Sequence, residues 1–242
     1  MKRFFVPPDS IIGNAATLPE EHGKHIRNVL RLKPGDDILI FDGSGKEYQA
    51  KIKTLYPVID CQITCGIGKR PIRKIDICLV QGIAKGDKMD TIIQKGTEIG
   101  ISRFIPCLTE RTIVKLDKDS RRKKQERWQK IARSAAEQSG ALAVPDISEI
   151  RAFAEVIAGL DKTGLNIIPW EEEQGQRIKD VLENVTPKTI TIFIGPEGGF
   201  SAEEIDLARR NKVIPVSLGR QILRTETAGL VTAAILKYEF EW

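Results

Sequence analysis

The spacing of apolar positions changes character near residue 75 of this 242-residue chain. Before that point the apolar runs are short and alternating. Residues 38–41 and 48–52 flank the Gly-rich stretch DGSGKE, and residues 61–67 continue the alternation up to GKRP, as half-buried strands joined by a hairpin would. Ahead of them, EHGKHIRNVL reads as a short helix with Ile26, Val29 and Leu30 facing inward, closed by a turn at Pro34 and Gly35. Residues 1–70 are therefore expected to form a small β-barrel-like domain. From Ile75 onward the texture is different. IDICLVQGI is a near-continuous apolar run, as buried parallel strands tend to be, and Met89, Ile92, Ile93 and Ile99 then mark one face of a helix. SRFIPCL, LNIIPW, TITIFIG and VIPVSLG read as further strands, separated by helical stretches around Trp128, Phe153, Ile178, Ile205 and over 227–240. This alternation predicts an α/β domain over residues 71–242 with a mostly parallel sheet, whose ligands belong at the carboxyl ends of the strands.

FIGPEGGFSAEEI lies at such an end. Pro196 stops the strand, Gly198 and Gly199 admit backbone conformations closed to other residues, and Ser201 with Glu204 forms the signature of a helix-opening capping box. One glycine suffices for a plain strand-to-helix turn; this many suggests that backbone groups meet a ligand directly. The stretch lacks the Lys-Ser or Lys-Thr of a Walker loop, and no G-x-G-x-x-G opens the domain. The next strand ends at Leu218, turns at Gly219, passes Leu223 and Arg224 and opens a helix near Thr225, so two adjacent loops are expected to form one pocket.

Charge matters here by its placement. Residues 115–133 carry nine Lys or Arg against three Asp or Glu, a local +6 in a chain whose net charge is +5. Trp128, Ile131, Ala132, Ala135 and Ala136 mark the buried side of that helix, so the basic side is either a solvated face or a phosphate-binding one. A second basic element exists at Lys24, Arg27 and Arg31, expected on the flank opposite the N-terminal apolar stripe. Small barrels of this kind serve as RNA readers and equally as folding modules. The four cysteines fall within apolar runs and read as buried free thiols, and with only His22 and His25 as histidines no metal site is expected. No apolar run reaches the length of a membrane span, and MKRFFVPPDS lacks the apolar core and cleavage site of a signal peptide; a cytoplasmic location is expected, with no membrane partner.

RFF near the start, HIRNVLRLKPGD, KGDKMDTIIQKGTEIG, TERT, RWQKIARSAAEQSG, IGPEGGFS and SLGRQILRTETA together resemble the ribosomal RNA small subunit methyltransferase E family of the SPOUT superfamily. The resemblance covers nearly the whole chain, and the two C-terminal motifs are its most specific part. It implies an N-terminal PUA-like barrel that binds RNA and a C-terminal α/β domain tied in a deep trefoil knot. It further implies S-adenosylmethionine as cofactor, a homodimer, and methylation of N3 of a specific uridine in the 16S rRNA of the small ribosomal subunit. One position departs from the family pattern, with Ala141 where an Arg is expected after EQSG, and Arg133 and Arg151 are the nearest basic residues.

Under that resemblance, backbone groups of Ile194, Gly195, Gly198, Gly199, Leu218, Gly219 and Leu223 hold adenine and ribose, while Thr227 and Ala228 close the pocket from the last helix. Pro169 and Trp170, Pro196 and Glu197, and Ser217, Ile222 and Arg224 complete the expected cofactor site. Arg224 is the candidate for stabilising the uracil anion, as an adjacent cation favours an ionised acid. Its bland alternative is a salt bridge to Glu226 or Glu197 that braces the loop. Glu226 either orients Arg224 or takes the proton. Lys24, Arg27, Arg31, Lys85, Arg111, Arg121, Arg122, Glu137 and Gln138 are the expected RNA contacts. Other readings stay open: a SPOUT enzyme acting on another base or a ribose hydroxyl, and a non-catalytic RNA-binding protein whose glycine loops are only structural.

Overall fold

A computed structural model describes residues 1–69, 75–114 and 116–240. The chain forms two compact units, Met1–Ile72 with Ala136–Val144, and Arg73–Ala135 with Pro145–Trp242. The border expected at residues 70 and 71 falls outside the described residues, as do the end of GKRP and the first residue of the basic run, Lys115. Nothing in the hydrophobic pattern singles out residues 136–144 as part of the first unit.

That unit is a curled six-stranded sheet. Its strands are β1 (Lys2–Phe5), β2 (Ile11–Ile12), β3 (Ala15–Leu18), β4 (Asp37–Phe41), β5 (Lys46–Thr54) and β6 (Ile59–Lys69), in the order β1-β4-β5-β6-β3-β2. Only the β1–β4 pair is parallel. Alternate residues of β4 to β6, among them Ile38, Ile40, Ala50, Ile52, Ile59 and Cys61, meet Ile26 in the core. The helix expected around Ile26 is a π turn, His25–Val29, whose closing bond runs from the Leu30 N–H to the His25 carbonyl. A π turn holds more residues than the 3.6 of an α turn, so Ile26 and Leu30 share the inner face and Val29 swings out to 65% exposure. Val29 is therefore not a core residue. Nor do the three cations line one outer flank: the Arg27 guanidinium turns inward to the Leu55 carbonyl at 2.9 Å and lies over the Tyr56 ring. Arg31 ends the turn with a positive φ of 53°.

Cys65 is also corrected. Gln49 pairs with Cys65 but Ala50 pairs with Ile63, so a bulge adds a residue to β6 and breaks the alternation that put Cys65 on the face of Cys61. Cys65 is exposed, whereas Cys61 and Cys107 are buried and Cys78 is largely covered. Burial pushes the Cys61 and Cys78 thiols up to about 12 and raises that of Cys107 as well, so these three stay protonated packing groups.

The second unit holds β7 (Asp76–Gly82), β8 (Arg103–Leu108), β9 (Asp146–Ile147), β10 (Arg151–Ala152), β11 (Leu165–Pro169), β12 (Thr189–Ile194) and β13 (Ile214–Val216). All their pairings are parallel, in the order β10-β8-β7-β12-β11-β13, with β9 also on β8. Its helices are α1 (Lys88–Ile99), α2 (Lys118–Ser139, whose end groups with the first unit), α3 (Phe153–Ala158), α4 (Ile178–Leu182), α5 (Ala202–Arg210) and α6 (Thr225–Phe240). Phe153, Phe193 and Phe200 pack edge to face or tilted at the centre of one core cluster, with Val80, Ile168 and Ile205. Along α2, Trp128, Ala132, Ala135 and Ala136 are buried and Ile131 is half-buried. No helix among the described residues is long and apolar enough to cross a membrane.

Candidate functional site

Two loops leave the carboxyl ends of parallel strands in the second unit, one after β12 and one after β13, the two strands flanking β11. The first turns at Gly199, whose φ of +68° is costly for any residue with a Cβ. At Gly195 a Cβ would come within 2.9 Å of the Gly199 backbone, so the loop folds back tightly on itself. It is then fixed to α5 by the anticipated capping box: the Ser201 side chain accepts from the Glu204 N–H at 3.3 Å, and the Ser201 N–H donates to the Glu204 carboxylate at 3.0 Å. The other Glu204 oxygen accepts from the Glu110 N–H at 2.9 Å.

The buried amide of Gln81, at the end of β7, ties the first loop to the start of α6. It donates to the Thr225 hydroxyl at 2.9 Å, and that hydroxyl donates to the Gly195 carbonyl at 2.6 Å. Between the loops lies a cavity of about 340 Å³, lined by Pro169, the Ile194–Glu197 segment, Gly199, Phe200, Ile222–Glu226 and Ala228, with Lys88 and Glu171 at its side. A second cavity of about 80 Å³ adjoins it and shares Pro169, Glu171, Ile222, Leu223 and Ala228; Trp170, Ser217, Leu218, Gly219, Arg220 and Gln221 complete its wall. The expected single pocket is thus two adjoining cavities. Two of the expected lining residues fall outside both. Thr227, on the first turn of α6, is exposed, and the Gly198 carbonyl is taken by the Arg111 guanidinium at 2.9 Å.

The second loop leaves several backbone groups without a partner in the chain. Among the described residues, the N–H and C=O groups of Leu218, Ile222 and Leu223 make no hydrogen bond within the chain, although all three residues line the smaller cavity. Backbone donors and acceptors that secondary structure leaves open are available to a planar heterocycle with its own donors and acceptors.

Charged groups in the larger cavity are divided unevenly. The Lys88 ammonium donates to Glu197 at 2.9 Å and lies 3.5 Å from Glu226, and the Lys85 N–H adds a further hydrogen bond to Glu197 at 3.0 Å. Partial burial alone would raise the Glu197 pKa, but the bonds from Lys88 and from backbone N–H groups prevail and hold it below the usual carboxylate range. The Glu197 hydrogen bond correspondingly raises the Lys88 pKa. Arg224 is exposed, and its guanidinium has no partner among the described residues. The bracing salt bridge to Glu226 or Glu197 is not formed: Glu197 is bonded by Lys88, and the Glu226 Oε2, 3.5 Å from the same ammonium, is buried without a hydrogen bond. Lys88, Glu171, Phe200 and Thr225 do not stand out in the sequence. A lone Lys at a helix start carries no signal, and Thr225 shows there only as the place where a helix begins.

The expected RNA-contacting residues are scattered. Lys24 and Arg31 are exposed in the first unit. In the second, the Lys85 side chain and Arg122 are exposed, the latter 3.7 Å from Glu126, while Arg121 reaches the Leu116 carbonyl. Glu137 groups with the first unit, where its carboxylate accepts from the Phe5 N–H at 2.9 Å and lies 3.4 Å from His22. Gln138 is exposed, and the Ala141 carbonyl accepts from Arg3 at 2.7 Å. No cluster of three or more metal-ligating side chains occurs among the described residues.

A family model described as an RNA methyltransferase domain matches residues 71–237, and one described as an RNA methyltransferase PUA domain matches residues 18–55. The ribosomal RNA small subunit methyltransferase E of Bacillus subtilis (strain 168) is 32% identical, over 100% of this chain and 98% of its own length. The crystal structure of the Neisseria gonorrhoeae enzyme of that name, bound to S-adenosyl methionine, is 32% identical and superposes with a TM-score of 0.90, covering 99% of this chain and 98% of its own. A putative methyltransferase from Legionella pneumophila, solved with bound cofactor SAM, is 30% identical with a TM-score of 0.89, covering 98% and 97%. The chain belongs to the ribosomal RNA small subunit methyltransferase E family.

Proposed function

We propose that the protein transfers the methyl group of S-adenosylmethionine to N3 of a specific uridine in the 16S rRNA of the small ribosomal subunit. Family membership supports a methyltransferase, and two similar solved proteins carry this cofactor. The residues present fit it. Open backbone groups at Leu218, Ile222 and Leu223 match the edge of adenine, and Pro169, Trp170 and Leu223 offer apolar surface for its faces. Gly195 and Gly199 keep the first loop close-packed without side chains intruding on the larger cavity. When bound, the cofactor supplies a methyl group already activated on a sulfonium. The protein's task is then alignment, which can contribute about 7–11 kcal/mol of the barrier.

The uracil N3 carries a proton that must leave before or as it attacks. The observation that carries the N3 reading is the unpaired Arg224 guanidinium at the larger cavity: a cation free of any carboxylate stabilises the anion that forms on the base. Glu226, held near Lys88, is the neighbouring carboxylate through which the proton can leave. Lys24 and Arg31 on the PUA-like unit, with Arg121, Arg122 and Lys85 on the other, supply phosphate contacts. Helix α6 exposes the large apolar side chains Val231 and Tyr238, seven residues apart on one face, which supports a homodimer that covers this face. The trefoil knot and a cytoplasmic location follow from the family reading.

Single-turnover kinetics of Arg224→Ala across pH test the proposal. A transition-state role lowers kcat by about 10²-fold or more while leaving cofactor affinity unchanged, and higher pH restores part of the loss because solvent then deprotonates the base. Arg224→Lys keeps the charge and restores part. Wild-type turnover with weakened cofactor binding would instead make Arg224 part of the pocket wall.

A further inference from the structure

Five charged side chains line the larger cavity: Lys88, Glu171, Glu197, Arg224 and Glu226. Three are carboxylates that share one cavity with Arg224, so its guanidinium would be expected to pair with one of them. It does not. Lys88, projecting from the first turn of α1, engages Glu197 at 2.9 Å and Glu226 at 3.5 Å. Its own position is not explained by the helix, because a cation at a helix N-terminus opposes the macrodipole. The backbone at Lys85 adds a further bond to Glu197, so the carboxylate is fixed from two directions.

We infer that Lys88 is a positioning residue for methyl transfer: by occupying Glu197 and Glu226 it keeps both carboxylates off Arg224 and leaves that guanidinium available to the substrate. The inference rests on the methyltransferase reading of the same cavity. The lowered pKa of Glu197 and the raised one of Lys88 agree with a standing ion pair. Removing the ammonium leaves two carboxylates without their cation in the cavity that Arg224 shares, and a guanidinium paired with one of them stabilises a uracil anion poorly. Lys88 thereby acts through Arg224 without touching the reacting atoms.

A double-mutant cycle tests this with methyl-labelled S-adenosylmethionine and small ribosomal subunits that lack the modification. Lys88→Met is expected to lower kcat about ten-fold or more with the cofactor Kd within about two-fold of wild type, and the deficit should shrink as pH rises. Lys88→Arg, which retains the charge, should restore most of the turnover. In the Arg224→Ala background Lys88→Met should cost much less than it does in the wild type, because the residue it protects is gone and only its effect on Glu226 remains. Multiplicative losses in the double variant, or a Lys88→Met protein with normal kcat and weakened cofactor binding, would overturn the inference. Thermal melts of each variant separate a folding defect, which Lys88→Arg would not share, from a catalytic one. Should Arg224→Ala itself turn over like wild type, the catalytic reading of the cavity fails; should Arg224→Ala be impaired while Lys88→Met acts independently of it, only the present inference fails.

Discussion

At the scale of single residues, function and stability rest on a few backbone and charge arrangements that can be broken one at a time. Gly199 combines a φ of +68° with a Cβ position only 2.5 Å from the Glu171 carboxylate. Gly199→Val therefore strains the backbone by about 1–2 kcal/mol and pushes Glu171 aside. The unit should still fold, and calorimetry should find S-adenosylmethionine binding abolished; binding at wild-type strength would show that this loop does not form the cofactor site. Arg3 is a different kind of residue. It bonds Glu47 at 2.6 Å and the carbonyls of Ala136 and Ala141, and lies over the Phe41 ring. Arg3→Ala leaves a buried carboxylate without this partner, so chemical denaturation should show a loss of about 3–5 kcal/mol with methyl transfer intact at low temperature. His22 is buried against Phe4, and that burial lowers its pKa despite the opposing pull of Glu137. The folded state then takes up its proton only at lower pH than the unfolded state, whose imidazole titrates near ~6.5. Stability is full above that value and falls as pH drops through it towards the folded pKa, where the unfolded chain binds the extra proton. His22→Gln should flatten that part of the profile in urea titrations.

At the scale of elements, the long strands and helices of the second unit are legible in the sequence because buried parallel strands read as apolar runs and amphipathic helices keep a 3.6-residue period. Both glycine-bearing loops are legible for the same reason, as interruptions between clear elements. What fails to show is what lacks a period. The strands β2, β9 and β10 are two residues each, too short for any alternation, and β1 with β3 lie in a stretch where only a motif is visible. The bulge that turns out Cys65 and the π turn that turns out Val29 are one-residue changes of phase, invisible to a scan that assumes constant spacing. Lys88 escapes notice because its meaning lies in Glu197 and Glu226, both more than a hundred residues away in sequence. The basic side of α2 is legible, and its role can be measured. Replacing Arg121, Arg122, Lys123 and Lys124 by Ala should reduce the slope of log K against log salt for RNA by about 0.7–0.9 for each phosphate no longer neutralised, with cofactor affinity unchanged. An unchanged slope would leave α2 a solvated face and turn attention to Lys24 and Arg31.

For the whole molecule, a PUA-like unit and a parallel-sheet methyltransferase unit are joined in one chain, and α6 exposes Val231 and Tyr238. If α6 is covered in a homodimer, Tyr238→Glu should shift the protein to monomer in sedimentation, since a charge on that face opposes burial. The central claim is that the cavity between the two loops directs a methyl group to a uracil nitrogen in the small subunit's rRNA. The most direct measurement incubates the protein with methyl-labelled S-adenosylmethionine and small subunits from a strain lacking the enzyme, then digests the rRNA to nucleosides and maps the label. The expected result is label in a single 16S nucleotide, recovered as N3-methyluridine. Label in a ribose hydroxyl or another base, or no transfer to any rRNA by a protein that binds the cofactor, would contradict it.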